Sequence, residues 1–310
     1  MSYVFGPVPS RRLGNSLGVD LVTFKSCSLD CVYCQLGRTT DHTLERRVFV
    51  PADEVIAEVG EVLASGAAVD YVTMSGSGEP TLSVDIGRVI RGVKALTEVP
   101  VAVLTNGSLL WREDVREELA PADLIVPSFD AATQGAFEKV NRPVAGLDVG
   151  MVARGICEFT QGYSGKVWLE VMVVAGVNDS VAEAEAIVRA LEGARVDRVQ
   201  LNTVARAPAE VWVQPVAEEQ LETLGEVLGA LAPVEVIHHY SREAHTSFRS
   251  DVAEAIVSTL ARRPCSTAEL AASLGLAPNL VIKHIGELEL ERKIERVVVG
   301  DTVQYRVRPA

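Results

Sequence analysis

Three of the chain's cysteines stand within eight residues, Cys27, Cys31 and Cys34 in the string CSLDCVYC. A Cys-x3-Cys-x2-Cys spacing puts three thiolates on one short loop. Thiolates are the protein ligands of iron–sulfur clusters, and three of them can hold three irons of a [4Fe–4S] cube while the fourth iron keeps no protein ligand. An iron left open in that way can take a small molecule through an amine and a carboxylate. Zinc is the competing reading. A structural zinc site wants four ligands, usually as two paired knuckles. The chain has no second Cys pair, and His42 is the only histidine near the loop.

The rest of the composition narrows the setting. The chain has 310 residues, five cysteines and a formal net charge of −13. At ~100–200 residues per domain, that length fits one large domain or two. An apolar fraction of 48% with 23% charged residues is ordinary for a globular protein and argues against disorder, collagen and coiled coil. The apolar runs are too short and too interrupted to span a bilayer, so no membrane partner is expected. MSYVFGPVPSRRLG has no secretory pattern, and a cytoplasmic address is the expectation. In that compartment an odd number of cysteines does not read as a disulfide framework. Cys157 lies in an apolar helical stretch and reads as core, while Cys265 is given no chemical role. Residues 1–250 carry 21 basic and 34 acidic side chains, and residues 251–310 carry eight of each. Neither part has the basic signature of a protein held on nucleic acid mainly by phosphate contacts.

The elements that must position the cysteines follow a rhythm. Short β-branched runs alternate with helical patterns: strands are expected at 17–23, 70–75, 101–106, 123–128, 166–174 and 198–204, with a closing strand at 234–239. Helices are expected at 51–65, 83–96, 112–119, about 146–161, 179–192 and 217–231, the fifth capped by Asn178-Asp179-Ser180. Strands joined by helical crossovers pair in parallel, which gives an α/β fold, either an open or partial barrel or a doubly wound sheet. In either, chemistry sits at the C-terminal ends of the strands, and the cysteine loop follows the first of them. The expected domain runs over 1–240, with a linker at 241–250. Residues 251–310 then change grammar: helices at 251–263, 268–275 and 278–293, followed by two short strands around Gly300-Asp301, the winged helix-turn-helix pattern. Leu270, Leu274, Val281, Ile285 and Leu288 give its helices one apolar face each.

The cysteine string resembles the signature of the radical S-adenosylmethionine (SAM) superfamily. The resemblance does not rest on the cysteines alone. Tyr33 occupies the family's aromatic position beside the adenine. SGSGEPTL, after the second strand, resembles the family's Gly-Gly-Glu element as Ser77-Gly78-Glu79, with Ser in place of the first Gly. Glycine lets a backbone approach a ligand closely, and a glutamate can accept hydrogen bonds from a methionine ammonium. Asn106, Ser128, Asp130, Glu170 and Asn202 lie at or near later strand ends, where the superfamily holds the ribose, the carboxylate and the adenine edge. The competing readings are an Asn106-Gly107 turn and Asp130 or Thr133 as a helix cap.

The resemblance implies a partial (β/α)6 barrel carrying a [4Fe–4S] cluster on Cys27, Cys31 and Cys34 and SAM as second cofactor. The implied reaction is reductive: an electron from a flavodoxin- or ferredoxin-class donor cleaves SAM to methionine and a 5′-deoxyadenosyl radical, which abstracts hydrogen from a substrate. GPVPSRRLGNSLGVD and CVYCQLGRTT look like the branch near the tRNA wyosine-base synthases, over residues 1 to about 240. Those enzymes hold a second cluster on additional cysteines, and Cys157 and Cys265 are too few and too far apart for one. A single-cluster enzyme is therefore expected.

Several charged residues have two readings each. Arg11 and Arg12 either fork onto an anionic substrate or the cofactor carboxylate, or are exposed terminal charge. Lys25 either contacts substrate or is a solvated loop lysine. His238, His239 and His245 are either proton donors at the mouth or structural hydrogen-bonding residues. The helix at 278–293 mixes Lys283, His284, Arg292 and Lys293 with Glu287, Glu289 and Glu291. That gives little support to tight DNA binding, and capture of a tRNA, a protein or a peptide is the preferred reading. The alternative class is an iron–sulfur, SAM-responsive regulator that acts through the winged helix. The Ser77-Gly78-Glu79 element favours the enzyme, because a pure sensor has no need of a methionine-binding site.

Overall fold

The computed structural model describes residues 3–10, 12–204, 208–237, 250–261, 263–299 and 302–308. Arg11, His238, His239, His245, most of the expected linker and Gly300-Asp301 lie outside the described residues.

The β-branched runs form strands, as their side chains favour on a pleated surface. Among the described residues they make one eight-stranded sheet in the order β1 (Val4–Ser10), β2 (Gly14–Val19), β5 (Tyr71–Met74), β6 (Val101–Thr105), β7 (Leu124–Pro127), β8 (Lys166–Val173), β9 (Arg198–Thr203) and β10 (Val234–Val236). All neighbours pair in parallel except β1 with β2. The intervening β3 (Ser26–Cys27) and β4 (Asp41–His42) pair with each other at the cysteine loop. The helices are α1 (Ala52–Ala64), α2 (Ile86–Leu96), α3 (Glu113–Leu119), α4 (Gln134–Val140), α5 (Val149–Gly162), α6 (Val181–Ala190) and α7 (Glu218–Leu228). Their starts are chemically marked. Pro51 precedes α1, whose first turn holds Asp53 and Glu54, and Ser180 caps α6 by accepting the Glu183 N–H at 3.1 Å.

Two departures from the sequence pattern have physical causes. β1 was hidden by Pro7 and Pro9, which remove backbone donors; an edge strand paired on one side tolerates them. The first parallel strand stops at Val19 rather than residue 23, because Asp20 turns its carboxylate onto the Ser77 backbone N–H.

Sequential strand order leaves no point of reversal, so the crossovers stay on one side of the sheet. The burial pattern of β8 records the two faces. Val167, Leu169, Val171 and Val173 are buried with the helices, while Trp168, Glu170 and Met172 are half-buried on the other face. The helix-side core includes Val55, Ile90, Leu119, Ile156, Ile187 and Leu224. Burying each such side chain contributes about 1.5–3 kcal/mol before chain entropy is counted. On the opposite face, Leu13, Leu124 and Val126 pack with Tyr71 and Trp168 as an apolar floor. Polar residues take over toward the C-terminal strand ends. Among the described residues no helix is long and apolar enough to cross a membrane.

Residues 250–308 build a separate core. Here α8 (Ser250–Leu260), α9 (Thr267–Leu274) and α10 (Pro278–Leu290) precede the antiparallel pair β11 (Ile294–Val299) and β12 (Thr302–Val307). Leu270, Val281, Ile285 and Leu288 are buried together and Leu274 is half-buried beside them. A reciprocal Ser266–Glu269 capping box starts α9, and Gly275 ends it at φ 64°. Cys265 is fully buried in this core.

Candidate functional site

The cysteine loop leaves the end of β2 and is tied to the distant segment at residues 140–144. The Val32 N–H donates to the Val140 carbonyl at 2.9 Å, and the Val144 N–H to the Ser28 carbonyl at 3.0 Å. Within the loop, the Cys34 N–H donates to the Cys31 carbonyl at 3.1 Å, closing a turn over residues 31–34. Ser26 donates its hydroxyl to Asp41 at 2.9 Å, which holds the β3–β4 pair at the loop's base. His42 is turned to the Ser28 carbonyl at 3.0 Å.

All three thiols are free and half-buried, and each faces a nitrogen donor. Lys25 Nζ lies 3.2 Å from Cys34 Sγ, Asn106 Nδ2 3.5 Å from Cys27 Sγ, and Asn141 Nδ2 3.4 Å from Cys31 Sγ. Burial pushes the Cys27 thiol up to about 12, and burial with the neighbouring Asp130 carboxylate raises Cys31 well above its ordinary value. A nearby positive metal would favour the thiolate form that ligation requires. Among the described residues no three His, Cys, Asp or Glu side chains gather tightly enough to chelate a single ion. A cuboidal cluster instead asks a different iron of each thiolate.

Glu79 lies beside this loop, 2% exposed. Its Oε1 accepts from the Thr81 N–H at 3.1 Å, the Thr81 hydroxyl at 2.6 Å and the Thr105 hydroxyl at 2.6 Å. Oε2 accepts from the Asn106 N–H at 2.7 Å and keeps a lone pair for a further donor. Burial raises this carboxyl above its usual range, against the lowering pull of those four bonds. Gly78 explains why the element needs glycine: a Cβ there would meet the Ser26 carbonyl oxygen at 1.9 Å. Ser77 does different work. Its hydroxyl and N–H both bind the Asp20 carboxylate, so it braces the end of β2.

The next strand ends form a second group. Asp130, 3% exposed, accepts from the Tyr33 hydroxyl, from Asn141 Nδ2 at 2.7 Å and from the Met172 N–H at 2.9 Å. Burial lifts its carboxyl to about 6. The helix-cap reading of Asp130 is thereby corrected: Thr133 caps α4 instead, accepting from the Ala136 N–H at 3.4 Å. Ser128 donates to Glu170 at 3.4 Å, and Asn202 Nδ2 donates to the other oxygen of Glu170 at 2.8 Å. Tyr33, Asn106, Ser128, Asp130 and Asn141 line one small cavity of about 10 Å³. The buried Oδ1 atoms of Asn141 and Asn202 lack a protein partner and are open to a further donor. Free thiols, nitrogen donors and orphaned amides thus fit a cluster with a polar organic cofactor beside it.

The remaining candidates separate. Arg12 is not exposed terminal charge: its side chain is 18% exposed and one guanidinium nitrogen is ion-paired to Glu170 at 2.8 Å. Lys25 is not a solvated loop lysine, being 2% exposed. Burial pulls its ammonium down, but Cys34, Cys27 and Cys31 carry it above the ordinary value. Cys157 is half-buried in α5, its Sγ 3.8 Å from the Ala190 carbonyl. Sequence reasoning missed Asn141 and Asp20. Asn141 lies 110 residues from Cys31, its thiol partner. Its only local signal is the Asn-Arg-Pro string that ends α4.

A family model described as the radical SAM superfamily matches residues 21–189. A UPF0026 protein of Helicobacter pylori strain J99 is 32% identical over 305 residues, 97% of this chain and 96% of the relative. A protein of Brachyspira hyodysenteriae described as GTPase Obg is 33% identical over 98% of this chain, which spans only 45% of that relative's length. Among solved structures, a radical SAM methyltransferase from Sphaerobacter thermophilus superimposes with a TM-score of 0.55 at 20% identity. That superposition covers 74% of this chain and 67% of the other, and it speaks for the fold alone.

Proposed function

This chain belongs to the radical SAM superfamily, and on that premise we propose that it is a single-cluster enzyme acting on a macromolecule, a tRNA or a protein or peptide. In this reading the sheet and its one-sided helices are the partial (β/α)6 barrel of residues 1–240. The three helices and hairpin of residues 251–310 are a winged helix that holds the substrate.

Cys27, Cys31 and Cys34 would hold a [4Fe–4S] cluster, and Tyr33, Glu79, Asn106, Ser128, Asp130 and Asn202 would hold SAM. When bound, that pair supplies a reductively generated 5′-deoxyadenosyl radical able to abstract hydrogen. This chain's own residues do the positioning. Glu79 offers its spare Oε2 lone pair to an ammonium. Asn106 ties the cysteine loop to the end of β6 by donating to Cys27 Sγ and to Ser28 Oγ at 2.9 Å. Asp130 fixes the Tyr33 ring against the loop. Ser77 and Gly78 shape the backbone between them, Ser77 by bracing Asp20 and Gly78 by close approach to Ser26.

The observation that carries the reading is the pairing of every loop thiol with its own nitrogen donor, next to a buried carboxylate with one free lone pair. GTP hydrolysis, the activity in the Brachyspira relative's description, is not carried over. The chain contains no G-x4-G-K-[ST] phosphate loop.

Anaerobic reconstitution followed by reduction with SAM tests the proposal. Four irons per chain and release of 5′-deoxyadenosine are expected. Absence of both overturns the enzyme reading. Comparing modified nucleosides and tryptic peptides between deletion and parent cells then tests the substrate class, with an unmodified position in the deletion strain as the expected result.

A further inference from the structure

We propose that Lys25 is a fixed positive charge that sets the electron affinity of the cluster held by the cysteine loop; this rests on the cluster reading given above. The neutral amides of Asn106 and Asn141 face Cys27 and Cys31, but Cys34 faces an ammonium at 3.2 Å. Lys25 is 2% exposed, and among the described residues no carboxylate lies within ion-pair distance of it. A buried ammonium needs a counter-charge, because burial without one is costly. The thiols of the loop are the groups placed to provide it.

The backbone shows that this placement is imposed. Lys25 sits at φ 60°, the left-handed region that a side-chain-bearing residue enters only at a cost. Three hydrogen bonds hold it there. Its N–H donates to the Ser77 carbonyl at 2.6 Å, and its carbonyl accepts the N–H groups of Thr40 at 3.2 Å and Asp41 at 3.1 Å. The Ser77 bond ties this strained residue to the segment that carries Glu79. In this conformation the side chain runs inward to the thiols, and Phe24, its 40%-exposed neighbour, faces outward.

The electrostatics follow from sign. Reduction adds one electron to a cube already bound by three thiolates, so the reduced form carries more negative charge. A nearby ammonium, in surroundings that screen poorly, favours that form over the oxidised one. Lys25 therefore eases entry of the electron. It acts through the cluster and is a positioning residue.

The test compares the wild type with Lys25→Met, Lys25→Gln and Lys25→Arg, each reconstituted anaerobically. Iron and sulfide are counted, and the midpoint is read by spin-resonance-monitored titration with dithionite. With loaded clusters, Lys25→Met and Lys25→Gln are expected to lower the equilibrium constant for reduction at least tenfold, about 59 mV for one electron. Lys25→Arg is expected to stay near the wild type. A loaded Lys25→Met protein with the wild-type midpoint overturns the inference. So does a Lys25→Gln protein that matches the wild type, because a neutral hydrogen bond would then suffice. Loss of the cluster in Lys25→Met and Lys25→Gln, whether or not Lys25→Arg keeps it, overturns the inference in favour of a role in holding the cluster. A wild-type protein that takes up no iron defeats the cluster reading itself, and this inference with it.

Discussion

Glu79 and Thr105 meet at 2.6 Å, and the same carboxylate takes the next backbone N–H, that of Asn106, at 2.7 Å. One buried side chain thus fixes the end of β6 and aims Asn106 at the cysteine loop. Glu79→Ala leaves the Thr81 and Thr105 hydroxyls without their acceptor, and unsatisfied buried groups cost about 1–3 kcal/mol each. The expected outcome is a thermal midpoint lower by several degrees together with loss of SAM binding, measured by calorimetry on the loaded protein. SAM bound by Glu79→Ala at wild-type affinity would contradict the assigned role.

Gly78→Ala presses a methyl group into the Ser26 carbonyl, with 1.9 Å available. Backbone cannot yield as a flexible side chain does, so β3 and Cys27 must shift. Overpacking of this kind costs about 1–3 kcal/mol. Iron occupancy after reconstitution is expected to fall more sharply than the helix content read by circular dichroism.

Asp130 provides a pH signature. Its folded carboxyl is lifted by burial to about 6 from the ordinary 3.8. The native state therefore binds the proton more tightly than the unfolded chain, and stability from this group is lost as pH rises from about 4 through 6. Two units correspond to at most about 3 kcal/mol. Urea unfolding at pH 5 and pH 7 should show the wild type gaining on Asp130→Asn at the lower pH. Tyr33→Phe removes a donor to the ionised carboxylate and should enlarge that gain, because the carboxyl then rises further. A wild-type-minus-variant difference flat across this range would exclude the shift.

Arg12 and Glu170, each 18% exposed, form an ion pair at 2.8 Å. Removing one partner of a largely buried pair strands the other charge. Arg12→Ala is expected to destabilise by about 1–3 kcal/mol, reduced from the fully buried case by residual solvent screening. A double-mutant cycle with Glu170→Gln should return a coupling of at least about 0.5 kcal/mol, the range for residues in contact.

Ser266→Ala removes one arm of the α9 capping box, whose loss costs about 1 kcal/mol. With the core of residues 250–308 separate from that of the sheet, the early part of a calorimetric melt should move while the sheet's transition stays. A single transition moved as a whole would mean that the two cores melt together.

Much of this was legible because it is local. The three cysteines, the Ser77-Gly78-Glu79 element and the alternation of strand and helix are each contained in a few consecutive residues, and the sheet follows them in order. What stayed hidden depends on partners remote in sequence. Lys25 reads as solvated until its ammonium is seen against Cys34. Arg12 reads as terminal charge until Glu170, far along the chain, comes to meet it. Ser77 stands where the motif has glycine, and only Asp20 explains the hydroxyl. Strand β1 was masked by prolines that an edge position excuses.

The donors to Cys27 and Cys31 come from positions 79 and 110 residues further along the chain. A growing polypeptide therefore presents its cysteines long before the amides that complete their surroundings have been synthesised. The surroundings of the loop's thiols are complete only once the first 141 residues have been made.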